Sequence, residues 1–219
     1  MLSASSQISS ALSLRVSGQS APVEAVVIGA SLGGPQAVST VLQHLTPHID
    51  RVSVFIVMHM PSNLAATLTT QLASISHRTT QICIHGEAVQ PGHIYLAPGN
   101  MHMRIVRAGT KVVTLHDDRP PQHFCKPSVD VTFQSFAQVY GVHGLALVLT
   151  GMGQDGLAGS KTIVDQGGRV FVQDEKSSAV WGMPGSIAKA GLASAILPPA
   201  ELAKAVALHL INSAPGVRS

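Results

Sequence analysis

The chain has 219 residues, of which 14 are basic and 11 acidic, giving a net charge of +3 and a pI near 9.1 with no run of like charges. Charged residues make up 11%, against roughly 25% in an average soluble domain, and 45% are apolar, enough for a sizeable buried core. Scattered lysines and arginines argue against nucleic acid, no apolar run approaches the roughly 20 residues that span a bilayer, and Cys83 and Cys125 form no C-x-x-C, which suits a reduced, cytoplasmic setting.

Residues 1–22 are serine-rich with one arginine and read as a flexible leader, ahead of a single domain over 23–212 and a tail over 213–219. Glu24 to Ile28 is a β-branched run suited to a strand buried on both faces. It enters Gly29-Ala30-Ser31-Leu32-Gly33-Gly34-Pro35, where the proline starts a helix whose apolar spacing continues from Gln36 to Leu45. Val52 to Met58 is a second apolar strand, ending at His59-Met60-Pro61, and Ser62 or Asn63 is placed to cap a helix carrying Leu64, Leu68, Leu72 and Ile75 on one face. Gln81 to Ile84 is a third, short strand. From His93 to His116 short alternating runs separated by Pro98-Gly99-Asn100 and Ala108-Gly109-Thr110 predict an antiparallel hairpin insertion.

Strand and helix then alternate again. Ser128 to Tyr140 is a helix with Ser128 at its cap and Asp130 at its positive end. Gly144 to Thr150 is a buried strand running into Gly151-Met152-Gly153-Gln154-Asp155-Gly156. A helix (157–166), a strand (169–173), a helix (185–190), a strand (194–197) and a last amphipathic helix (200–211) follow. Repeated strand-helix units predict an α/β fold: a doubly wound, mostly parallel sheet flanked by helices, a Rossmann-like three-layer sandwich with one hairpin insertion.

In such a sheet the site lies beyond the carboxyl ends of the strands, where strand order reverses. Ser31, His59 and Asp155 each follow a strand there. Serine needs a base to act as a nucleophile, histidine titrates in a suitable range, and a carboxylate orients the imidazole. Each has a blander job: Ser31 and Asp155 as helix caps, His59 as a loop histidine. Their joint placement favours acyl transfer. The amides of Gly151-Met152-Gly153 or of Gly33-Gly34 are candidate oxyanion donors, and the sequence does not rank them.

Two rival folds fit less well. Ser31 occupies the middle glycine of G-x-G-x-x-G, against a dinucleotide cradle, and the order Ser31, His59, Asp155 departs from the serine, acid, histidine order of α/β-hydrolases. Cys83-Ile84-His85 and His123-Phe124-Cys125 hold four nitrogen and sulfur groups at spacings unlike a zinc knuckle, and read as strand-edge and loop residues. No metal or cofactor is expected.

The motifs GASLGG at 29–34, HMP at 59–61, YLAPG at 95–99, PSVD at 127–130, LTGMGQDG at 149–156 and WGMPG at 181–185 resemble, in order and spacing, the catalytic domain of the chemotaxis protein-glutamate methylesterases. The resemblance covers roughly Val26 to Leu210. It implies Ser31 as nucleophile, His59 as general base, Asp155 as orienting acid and Met152 as oxyanion donor. The reaction it implies is hydrolysis of glutamate γ-methyl esters on cytoplasmic chemoreceptor helices, with release of methanol and possible glutamine deamidation, and without a cofactor. Trp181 and Met183 would line the substrate groove. Leu32 stands where the family often has threonine, Lys126 where arginine is usual, and Gly185-Ser186 where Arg-Glu is common. The family's preceding receiver domain is not in the sequence, so the expectation is a stand-alone methylesterase, with an excised fragment as the alternative. A non-catalytic interaction module on the same fold is the alternative of a different class.

Overall fold

A computed structural model describes residues 14–15 and 21–211, so the expected tail and nearly all of the expected leader lie outside the described residues. Seven strands form one parallel sheet: β1 (Ala25–Ala30), β2 (Ser53–Met58), β3 (Thr80–Ile82), β5 (Ile94–Leu96), β8 (Gly144–Val148), β9 (Arg169–Gln173) and β10 (Ala195–Leu197). Their spatial order is β10-β9-β8-β1-β2-β5-β3. A smaller antiparallel sheet holds β4 (Glu87–Ala88), β7 (Lys111–Asp117) and β6 (His102–Ala108). The helices are α1 (Gly34–Leu45), α2 (Ser62–Ser76), α3 (Val129–Tyr140), α4 (Leu157–Asp165), α5 (Gly182–Lys189) and α6 (Pro199–Ile211).

Alternation along the central strands builds two apolar layers. Val26, Ile28, Val54 and Ile56 face one way and pack with α1, α2 and α6; Val27, Phe55, Val57 and Val148 face the other and pack with α3, α5 and Ile163 of α4. Every residue of β1 and β2 is buried, which explains their unbroken apolar runs. Burial of each such Val, Ile or Phe is worth about 1.5–3 kcal/mol.

The hairpin expected over 93–116 is corrected in one respect. Ile94–Leu96 is a parallel strand paired with both β2 and β3, and the antiparallel ribbon runs from His102 to Asp117 with β4 as a third strand. The run Ile-Tyr-Leu is buried throughout, as a strand covered on both faces should be. Pro98-Gly99-Asn100 therefore joins two sheets instead of turning a hairpin. A Cβ on Gly99 would collide with the Ser62 backbone at the start of α2, so only glycine fits that crossing. The expected cap at Ser62 or Asn63 is also corrected: Pro61 holds the N-cap position, without a side-chain bond.

Candidate active site

Sheet order places the site. From β1 the chain goes to β2 on one side and returns much later to β8 on the other, so the crevice opens beyond the carboxyl end of β1. Pairing runs past the strands themselves: the Ser31 amide donates to Thr150 O (2.9 Å) and the His59 amide to Ala30 O (3.1 Å). Ser31 and His59 thus leave adjacent strand ends, and Asp155 follows β8 by way of a glycine turn.

Ser31 sits before Gly33, whose φ of 79° makes the left-handed turn into α1. A Cβ on Gly151 would lie 2.8 Å from the Ser31 Cβ and also strike Met183, so glycine there lets the β8 loop close over the serine. Among the described residues, the Ser31 hydroxyl makes no hydrogen bond. It is presented and uncommitted.

Asp155 is the most heavily bonded group in the site, with its side chain 2% exposed. Its Oδ2 accepts from His59 Nε2 (2.7 Å) and Val129 N (2.7 Å), while Oδ1 accepts from Ser128 Oγ (2.9 Å) and Asp130 N (3.0 Å). Burial pushes the carboxyl up, but the His59 bond and the Asp130 and Val129 amides outweigh it, holding Asp155 below the ordinary carboxylate range. An ionised carboxylate only accepts, so His59 Nε2 carries a proton, and the neutral form of the imidazole has its lone pair on Nδ1.

Ser128 is the N-cap of α3, as the sequence indicates, yet its hydroxyl is turned to Asp155 instead of to its own helix. The first amides of α3 are satisfied by Asp155 from another loop. Reciprocally, Asp130 on α3 accepts from Gly159 N (2.6 Å) in the first turn of α4. Two helices that pack together exchange carboxylate caps, and a Cβ on Gly29 would collide with Val129 (2.5 Å), so β1 admits the start of α3 only through that glycine.

Asp130 is 1% exposed, and burial, followed by repulsion from Asp155, outweighs its bond to Gly159 and the nearby His123 to push it up to about 6. A carboxyl raised on folding binds protons more tightly in the folded state, so it costs stability as pH rises from the ordinary carboxylate range to about 6. Asn keeps an acceptor for Gly159 without the charge. Asp130→Asn is therefore expected to be less destabilising, relative to the wild type, at pH 7 than at pH 4, by about 1–2 kcal/mol in denaturant titrations. A gap independent of pH would contradict the assignment.

The oxyanion candidates separate clearly. Gly34 N donates to Ser31 O (2.8 Å) and Gly151 N to Val180 O (2.9 Å), which removes both. The amides of Leu32, Gly33, Met152 and Gly153 donate to no group among the described residues. Met152 exposes 75% of its surface, so its side chain is not packed into the site and the amide is what it can contribute. Met183 is fully buried and backs Gly151, and Trp181 caps α5 with Nε1 bonded to Gln173 O (2.8 Å), so the former supports the site from behind.

Two contributors escaped the sequence reading. Thr150 Oγ1 donates to Leu32 O (2.9 Å) and accepts from Val180 N (3.0 Å), tying the serine turn to the loop before α5. Cys125 brings its Sγ to 3.7 Å from His59 Nδ1, where the sequence indicates only a loop residue. The LTG motif contains Thr150 and PSVD follows Cys125 by two residues, but neither says anything of their contacts.

With this geometry in place, comparison with known proteins is direct. The model of the CheB methylesterase family matches residues 26–206. The chain belongs to that family. A protein-glutamate methylesterase/protein-glutamine glutaminase of group 2 operon from Rhodopseudomonas palustris is 49% identical over 188 residues, 86% of this chain and 48% of that protein. A protein-glutamate methylesterase/protein-glutamine glutaminase 1 from Paramagnetospirillum magneticum is 42% identical over 182 residues, 83% of this chain and 48% of that protein. The chain thus spans about half the length of the curated relatives it matches. The crystal structure of the Thermotoga maritima CheB methylesterase catalytic domain aligns with a TM-score of 0.82 at 32% identity, over 85% of this chain and 98% of that one. The parallel sheet with its small antiparallel sheet is the fold of this CheB catalytic domain.

Proposed function

We propose that this chain is a serine esterase that hydrolyses γ-methyl esters of protein glutamates, with chemoreceptor cytoplasmic helices as substrate and methanol as product. Hydrolysis of receptor glutamine amides by the same acyl chemistry accompanies it. The observation that carries the reading is the Asp155–His59 bond of 2.7 Å, which turns His59 Nδ1 away from the carboxylate, with an uncommitted Ser31 hydroxyl leaving the adjacent strand end. In this reading Ser31 Oγ attacks the ester carbonyl as Nδ1 takes its proton, and the oxyanion is held by free amides, that of Met152 first among them. Collapse expels the methoxy group, which leaves as methanol with the proton from His59. Water then attacks the acyl-serine by the same route and frees the glutamate.

Exposed apolar side chains surround these groups: Leu32 follows Ser31, Phe124 precedes Cys125 and Met152 follows Gly151. Such a rim suits a helix surface better than a small ester. No helix among the described residues is long and apolar enough to cross a membrane. Release of labelled methanol from methylated receptor tests the proposal; a folded wild-type chain that releases none would leave the interaction-module reading in its place.

The Cys125 contact with His59 favours a second reading, with the thiol as nucleophile. Burial first, and then the Asp155 and Asp130 carboxylates, push that thiol up from its ordinary value, which disfavours the thiolate that such chemistry requires. Ser31 remains the better candidate.

The Met152 assignment makes its own prediction. Met152→Ala keeps the amide and should retain most activity, whereas Met152→Pro, which lacks the N–H, should lose roughly 10²–10³ in kcat. Equal losses in the two variants would move the oxyanion site to Leu32 and Gly33.

A further inference from the structure

His59, Cys125 and Asp155 bring one ligand-type atom each to within 4.8 Å of one another, and the mechanism uses only two of these residues. Cys125 is held there by a tight turn: Gln122 and Cys125 exchange backbone hydrogen bonds (3.1 and 2.8 Å), and His123 and Phe124 between them take left-handed φ values of 50° and 63°. Its Sγ stands 3.7 Å from His59 Nδ1. Two tetrahedral zinc ligands, nitrogen at about 2.0–2.1 Å and sulfur at about 2.3 Å from the metal, stand about 3.6 Å apart. The other ring nitrogen, Nε2, is bonded to the Asp155 carboxylate, the arrangement that fixes the tautomer and raises the basicity of zinc-binding histidines.

We infer that His59 Nδ1 and Cys125 Sγ form an inhibitory site for a soft divalent cation, zinc in the first place, with solvent completing the coordination. The metal displaces the thiol proton and occupies the lone pair of Nδ1. Zinc–sulfur and zinc–nitrogen bonds form, one proton goes to solvent, and no electron is transferred. The buried carboxylates of Asp155 and Asp130 nearby favour a cation there as much as they disfavour a bare thiolate. Magnesium and calcium prefer oxygen ligands and are excluded by the donor set. Its inhibitory consequence rests on the esterase reading, since a captured Nδ1 cannot serve as base; the binding site itself does not.

Equilibrium dialysis of the metal-free full chain against zinc chloride tests binding without activity, and cadmium adds a thiolate-to-metal absorption band as a signature of sulfur ligation. The chain has 11 histidines, so loss of binding in a cysteine variant is the decisive comparison. In the wild type we expect one zinc whose binding weakens at least tenfold in Cys125→Ala and in Cys125→Ser, with the cadmium band absent from both. Asp155→Asn should weaken binding roughly 10- to 100-fold by loosening the imidazole. Methanol release should fall with zinc, return with a chelator, and need at least tenfold more zinc for inhibition in either cysteine variant, each compared with its own metal-free rate. Zinc binding or inhibition undiminished by both cysteine changes, or no cadmium band in the wild type, overturns the site. Absence of methanol release from metal-free wild type instead strikes the esterase reading and leaves the binding result to decide on the metal.

Discussion

Ser31→Ala is expected to abolish methanol release, by roughly 10⁴-fold or more in kcat, while leaving stability within about 0.5 kcal/mol of the wild type. The asymmetry follows from the surroundings of the hydroxyl. It bonds to nothing among the described residues, so its removal orphans no partner, whereas in the proposed mechanism the proton transfer through His59 loses its only purpose. Turnover measured beside thermal unfolding checks both halves. A fluorophosphonate that labels Ser31 in the wild type, located by peptide mass, ties the loss to the nucleophile. Undiminished release by the folded variant, or labelling transferred to Cys125, would move the chemistry to the thiol.

Asp155→Asn should fail in a different way, losing roughly 10⁴-fold in kcat and about 1–3 kcal/mol of stability together. Each carboxylate oxygen accepts two donors: Oδ1 from Ser128 Oγ and Asp130 N, Oδ2 from His59 Nε2 and Val129 N. An amide has one oxygen. Whichever way it turns, its NH2 meets an N–H of α3, and one orientation also confronts the His59 proton and forces the imidazole toward the wrong tautomer. Stability and turnover followed on the same preparation decide this. A variant as stable as the wild type would show that the α3 amides find other acceptors.

Much of this arrangement is legible from sequence because strand ends are. Val26 to Ile28 and Val54 to Val57 have no plausible state other than buried strands, and the residues that follow them, Ser31 and His59, inherit their positions from strand geometry. Ile94–Leu96 was harder: three apolar residues between turn signals fit a ribbon or a parallel strand equally well, and only pairing with β2 and β3 decides. The contact of Cys125 with His59 spans 66 positions and depends on a turn with two consecutive left-handed residues, His123 and Phe124, types that rarely signal one. Local pattern carries no information at that range. The cap exchange between Asp155 and Asp130 was invisible for the same reason: an aspartate beside a helix start looks like its own helix's cap, whichever helix it serves.

That exchange changes what each residue of the proposed triad can testify to. Asp155 closes the end of α3, so a descendant chain that had abandoned catalysis and kept only the fold would still be held to an aspartate there. Ser31 has no such tie. A hydroxyl with no architectural duty, at a spot where alanine would fit equally well, is free to drift once its chemistry is no longer selected, so a serine at 31 speaks for a working enzyme more strongly than the aspartate does.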